Sequence, residues 1–217
     1  MEITWYGQSC FSVKAKEGTI VIDPYAKIGL TELKLKADIV LITHNHPDHN
    51  NIDAVKGISG GKPFQVSGPG EYEIGSIVIN GVSSFHDNEE GRDRGVNTIY
   101  TFTAEDISLC HLGDLGQKVL TDQQLEFLNG VDVLMVPVGG NYTIDGKEAV
   151  DIISQIEPKI VIPMHYKIPG LLIDIEDIEK FAKAEGVSSS NQKDILKIDA
   201  ASLPQEERET VILKAKA

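Results

Sequence analysis

Apolar residues in this chain fall in short runs separated by glycine, proline and small polar residues, a spacing that predicts many strands and few helices. Residues 3–6 and 10–13 read as two strands, and residues 19–22 as a third that stops at Asp23-Pro24. Residues 37–43 form a nearly continuous apolar run, the pattern of a strand covered on both faces. Beyond it, residues 48–55 predict a short helix, and residues 64–66 return to β structure. Residues 72–74, 77–79 and 82–85 are further β runs, separated by Gly75 and by Asn80-Gly81. Asn-Gly between two β runs predicts a hairpin, because both central positions of the favoured turn need positive φ.

The second half carries more helix. Residues 98–103 and 107–112 predict neighbouring strands joined by a polar turn. Thr121 and Gln124 match a capping box that opens a helix through Leu128, ended by Gly130. Residues 131–138 predict a buried strand. Ala149, Val150, Ile152, Ile153 and Ile156 recur with a helical period over residues 147–156. Residues 159–164 predict a strand leading into His165, residues 175–184 an amphipathic helix, and residues 210–213 a closing strand. The polar stretch 188–193 reads as a surface loop, too short to separate domains. With no internal repeat, the 217 residues fit one α/β domain with a full core.

Composition narrows the class of protein. Hydrophobic residues at 41% and charged residues at 24% are ordinary for a globular domain. A net charge of −13 repels nucleic-acid phosphates. The start, Met1-Glu2-Ile3-Thr4-Trp5, lacks the basic and apolar regions of a signal peptide, and no apolar run approaches the roughly 18 residues of a membrane helix. Cys10 and Cys110 make no disulfide framework; they read as reduced core residues or, alternatively, as one disulfide. The expectation is a cytoplasmic protein with no membrane partner.

Candidate chemistry concentrates directly after the 37–43 run. His44, His46, Asp48 and His49 lie almost side by side, in a chain with only six histidines. Side chains two apart in extended backbone point the same way, so His44 and His46 can hold one metal ion together. Asp48 and His49, beyond Pro47, can face a second. Imidazole nitrogen and carboxylate oxygen suit zinc, and also manganese or iron. The other histidines, His86, His111 and His165, lie at or just beyond predicted strand ends.

The pattern H-x-H-x-D-H after a buried strand resembles the signature of the metallo-β-lactamase-fold hydrolases. The likeness runs from Trp5 to about Tyr166 and includes His111-Leu112-Gly113-Asp114-Leu115-Gly116, residues 137–145 and Ile162-Pro163-Met164-His165-Tyr166. It is similar above all to the small single-domain bacterial group that includes the ascorbate-6-phosphate lactonase-like proteins. The resemblance implies a four-layer αββα sandwich. It also implies that His44, His46 and His86 hold one divalent ion, that Asp48, His49 and His165 hold another, and that Asp114 bridges them. Zinc is the first expectation for both ions. Two such ions roughly 3.5–4 Å apart share a water and lower its pKa toward about 7, so no serine or cysteine nucleophile is needed.

Asp48 and His111 are the catalytic candidates beyond simple ligation. His111, just before Asp114, reads as a supporting partner, a proton donor facing substrate, a packed histidine or a ligand. Asp23 matches the acidic residue that supports the histidine loop from behind, and equally suits an Asp-Pro turn. Arg92 and Arg94, on the loop after His86, suit a clamp for phosphate or carboxylate, or a solvated charged loop. Tyr142 and Tyr166 are candidate pocket donors. The leading expectation is a dinuclear metal-dependent hydrolase of a small polar ester, lactone or phosphodiester, with a small anionic molecule as substrate and homo-oligomerisation left open. A metal-dependent nuclease is the alternative, against which the net charge and the lack of an inserted clamping domain both weigh. An oxidoreductase is disfavoured by His46, where flavodiiron relatives carry glutamate, and a non-catalytic relative by the complete ligand set.

Overall fold

Val21, Val40 and Ile42 face one way from their strands, Ile20, Ile22, Ile39 and Leu41 the other, and both sets are buried. The computed structural model, which describes residues 1–216, accounts for this by placing the first sheet between two apolar layers. That sheet has the order Leu196–Lys197, Glu2–Trp5, Phe11–Lys14, Thr19–Ile22, Ile39–Ile42, Phe64–Ser67. The second has the order Glu209–Thr210, Ile160–Met164, Val133–Pro137, Ile107–His111, Val96–Ala104, Ile77–Phe85, Gly70–Ile74. The main core joins Trp5 and Phe11 of the first sheet to Tyr100, Phe102 and Leu109 of the second. Helices Asp122–Leu128, Gly146–Ile156 and Glu179–Glu185 add Leu128, Ile153 and Phe181 to it. The result is an α/β sandwich of two mixed sheets. Its outer layer on the first sheet is thin: Tyr25, Leu33 and Leu171 from loops, with the pair Leu35–Ala37 and Val55–Gly57.

Direction matters more than layer count. Thr19–Ile22 and Ile39–Ile42 are parallel, as are Ile107–His111, Val133–Pro137 and Ile160–Met164. Parallel neighbours end at the same edge, and the loops leaving those ends meet there.

Several local expectations are corrected. Residues 48–55 form no α-helix; a turn closed by His49 N–H to His46 O at 2.9 Å leads to a 3-10 turn at Ile52–Ala54 and a strand at Val55–Gly57. The Asn51 side-chain amide donates to Tyr25 O at 2.8 Å, a tie that competes with helix continuation. Asn80-Gly81 makes no hairpin, since Ile77–Phe85 is one unbroken strand and Gly81 pairs with both Tyr100 and Gly70. A Cβ at Gly81 would lie 3.0 Å from the Tyr100 ring and 3.1 Å from Pro69 Cα, so close approach selects this glycine. The turn falls instead at Gly75, with φ of 63°. The helix predicted over 175–184 is shorter, Glu179–Glu185, and ends on Gly186 at φ 77°. The predicted 210–213 strand is split: Glu209–Thr210 joins the second sheet, and Ile212–Leu213 pairs with Gln192–Lys193 from the supposed loop. Cys10 and Cys110 are buried and free. Among the described residues no helix is long and apolar enough to cross a membrane.

Candidate metal centre

Every candidate ligand leaves the end of a strand. His44, His46, Asp48 and His49 follow Ile39–Ile42, His86 follows Ile77–Phe85, Asp114 follows Ile107–His111 and His165 follows Ile160–Met164. Asp114 is buried, and its Oδ2 is where they meet. The Nε2 atoms of His165, His49, His86 and His44 lie 3.1, 3.2, 3.4 and 4.0 Å from it. Three overlapping ligand-sized groups result, His44/His46/His86, Asp48/His49/Asp114/His165 and Asp23/His44/His49, each with donor atoms within 4.8 Å of one another.

The rings are turned toward this point by bonds on their other side. His49 Nδ1–H donates to Asp23 Oδ2 at 2.9 Å. Thr43 Oγ1 donates to the same oxygen at 2.6 Å and lies 2.9 Å from His44 Nδ1, so it accepts the His44 proton. His86 Nδ1–H donates to Tyr142 O at 3.0 Å. These bonds fix the tautomers and leave each Nε2 lone pair aimed at the centre. The Nε2 atoms of His44 and His49 are buried without a hydrogen-bond partner in the protein. Orphaned acceptors around a buried carboxylate fit a divalent metal ion.

Electrostatics agree. Burial, with the neighbouring His49, pushes the His44 pKa down to about 3 and keeps its lone pair free at neutral pH. Burial also disfavours charge on His49, yet Asp114 and Asp23 on either side lift its pKa well above the usual imidazole value. The two carboxylates therefore favour a positive charge between them, proton or metal ion. Burial opposes ionisation of Asp48, but hydrogen bonding and charge from His49 hold its pKa down to about 2.

A cavity of about 610 Å³ opens onto the centre, with His46, Asp48, His86, Asp114 and His165 in its wall. Arg94 and Tyr142 also line it, the guanidinium 4.6 Å from the ring centroid. Arg92 does not: it is exposed and bonds Glu89 at 2.8 Å, the arrangement of a solvated charged loop. Tyr166 is buried away from this cavity, its ring 4.9 Å from Trp5 and its hydroxyl 3.4 Å from Leu213 O. His111 is fully buried, with Nε2–H donating to Ser9 O and Nδ1 accepting Gly113 N–H, both at 3.0 Å. With both nitrogens engaged it has no route to substrate. It holds the Gly113-Asp114 turn in place.

Asp23 supports the histidine loop as expected, bonding Thr43 and His49, but sequence reasoning missed the other residues that brace the ligands. Gln8 Nε2 donates to Asp48 Oδ2 at 3.0 Å, and Ser9 Oγ donates to Asp114 Oδ1 at 3.1 Å. Asn97 Oδ1 accepts Asp114 N–H at 3.0 Å. Asp87 accepts the backbone N–H groups of Glu89, Gly91, Asp93 and Arg94 at 2.8–3.0 Å, which shapes the loop that aims Arg94. Gly139 is braced differently: a Cβ there would overlap the backbone oxygen of His165. Gly139→Ala is expected to destabilise the protein by about 1–3 kcal/mol, as overpacking against backbone does, and to displace His165. Urea unfolding of the metal-stripped variant checks this, and unchanged stability would mean the two loops part without strain.

A model of the beta-lactamase superfamily domain matches residues 2–165. A UPF0173 protein of Pyrococcus abyssi is 34% identical over 187 residues, 78% of this chain and 85% of its own. The chain belongs to the β-lactamase superfamily. A UPF0173 metal-dependent hydrolase of Listeria monocytogenes is 27% identical over 223 residues, covering 87% of this chain and 95% of that one. The crystal structure of a candidate Zn-dependent hydrolase of the metallo-β-lactamase superfamily from Thermotoga maritima superimposes with a TM-score of 0.77 at 35% identity over 98% of each chain. This chain is accordingly a metal-dependent hydrolase of the metallo-β-lactamase fold, as its motifs imply.

Proposed function

We propose that the chain, one hydrolase domain over residues 1–217, uses two divalent ions, zinc foremost, to cleave a small anionic ester, lactone or phosphodiester. The observation that carries this reading is the meeting of four imidazole Nε2 atoms around one buried oxygen of Asp114. His44, His46 and His86 would hold one ion, Asp48, His49 and His165 the other, with Asp114 shared. Such ions supply an acidified water and positive charge for a developing oxyanion. Gln8 fixes Asp48 through Oδ2, which leaves Oδ1 to take a ligand or a proton at the cavity wall. Ile28, Leu172 and Ile173 offer an apolar wall for the uncharged part of the substrate. Arg94, kept over the Tyr142 ring, holds the anionic group. The two free buried cysteines suit a reducing cytoplasm.

The test is metal analysis of protein loaded with zinc, manganese or iron, joined to a screen of lactones, phosphodiesters, β-lactams and oligonucleotides. Two equivalents and turnover of a small anionic compound support the reading. A single equivalent, unchanged in His165→Ala, would sink the dinuclear claim, and cleavage of oligonucleotides alone would make the protein a nuclease. Once a substrate is known, Arg94→Ala should raise its KM by about 10- to 150-fold, the range of one charge-assisted hydrogen bond, and spare a neutral analogue. Equal losses on both compounds would reduce Arg94 to a loop support.

A further inference from the structure

A second cavity, of about 550 Å³, is separate from the metal centre and is walled by Trp5, Leu30, Tyr166, Ile168 and Leu213. Lys167, Lys214 and Lys216 stand in the same wall, and no aspartate or glutamate does. That runs against a chain whose net charge is −13. None of the three lysines makes an ion pair among the described residues, whereas Lys118, Lys159, Lys180, Lys193, Lys197 and Arg208 each meet an acid. Lys167 Nζ is tied to Ile173 O at 2.7 Å, whereas Lys216 Nζ rests 5.8 Å from the Tyr6 ring. The backbone beneath the other amines is anchored, with Lys214 N–H donating to Lys193 O and Lys216 N–H to Trp5 O, both at 2.9 Å.

We propose that this cavity binds a small amphipathic carboxylate, its apolar body against Tyr6, Leu30 and Ile168 and its anionic end at Lys214 and Lys216. The volume lies in the range of small-molecule sites, roughly 300–1,000 Å³, and such sites pair apolar walls with a few placed polar groups. A neutral apolar occupant would cover unpaired ammonium groups without compensation. A polyanion would leave the half-exposed apolar side chains Leu30 and Ile168 without a partner. Only a ligand charged at one end satisfies both surfaces. Its occupancy would be felt at the metal centre, because Gln8 O accepts both Trp5 Nε1–H at 2.9 Å and the N–H of the ligand His165 at 3.0 Å.

The single tryptophan of the chain, Trp5, forms part of this wall and reports on it. Metal-loaded protein is titrated with octanoate, octanol and octylamine, followed by tryptophan fluorescence and calorimetry. Octanoate is expected to saturate the signal and to bind roughly tenfold or more tightly than octanol, with octylamine silent. Lys214→Glu with Lys216→Glu, both exposed side chains, should weaken octanoate at least about tenfold while metal content and hydrolysis stay unchanged. No saturable response, or equal binding of octanoate and octanol, overturns the proposal. So does an octanoate response that survives the charge reversal and disappears in Arg94→Ala, which would place the carboxylate in the metal-site cavity.

Discussion

Alanine at position 46 is expected to lower hydrolysis by at least ~10²-fold, because removing a metal returns the nucleophile's pKa toward that of free water. His46 is the ligand best suited to separate chemistry from folding. It is half-buried and lines the cavity, and among the described residues its ring packs on His44 and His86 without a hydrogen bond. Its loss leaves His44 and His86 in their bonds to Thr43 and Tyr142. The stability of metal-stripped protein should therefore change by no more than about 0.5 kcal/mol, as for most surface substitutions. Activity and metal content of the same preparation decide the matter. Full activity in a variant confirmed to have lost metal would reject the assignment of His46 as a ligand.

The histidine loop was legible in the sequence because its chemistry is local. His44, His46, Asp48 and His49 sit together after an apolar run, and both the metal-site reading and the strand before it follow from spacing. His86, Asp114 and His165 gained meaning only through the family resemblance, since each alone is one polar residue at a strand end. Asp23 was legible as support for that loop, and what stayed hidden is the rest of the bracing. Ser9 and Asp114, or Gln8 and Asp48, are distant in sequence and meet through a hydrogen bond that no periodicity records. Arg92 and Arg94 looked equivalent because the loop that parts them is shaped by Asp87, which gathers four backbone amides. Asn80-Gly81 misled for a related reason. A glycine chosen for close approach and a glycine chosen for a turn read alike until the Tyr100 neighbour is known.

The largest effect is expected at Asp114. Asp114→Ala removes the carboxylate whose Oδ2 faces histidines of both ligand groups, and activity should fall by about 10³-fold or more as both ions loosen. Stability should respond in a way that a merely structural residue would not show. Burial opposes the charge of Asp114, and His165 and His49 offset this by holding its pKa well below the ordinary carboxylate range. In metal-stripped protein, deleting the group leaves His49, His165 and Ser9 without their buried partner, so stability should fall by about 3–5 kcal/mol. Metal-loaded protein is different. Zinc at 100 times its dissociation constant stabilises the wild type by about 2.7 kcal/mol, and a 100-fold loss of affinity would leave about 0.4 kcal/mol at the same concentration. Urea unfolding of wild type and variant, each with and without zinc, measures the difference directly. Should the variant gain as much from zinc as the wild type does, Asp114 is not a shared ligand, and the case for two ions at this centre loses its main support.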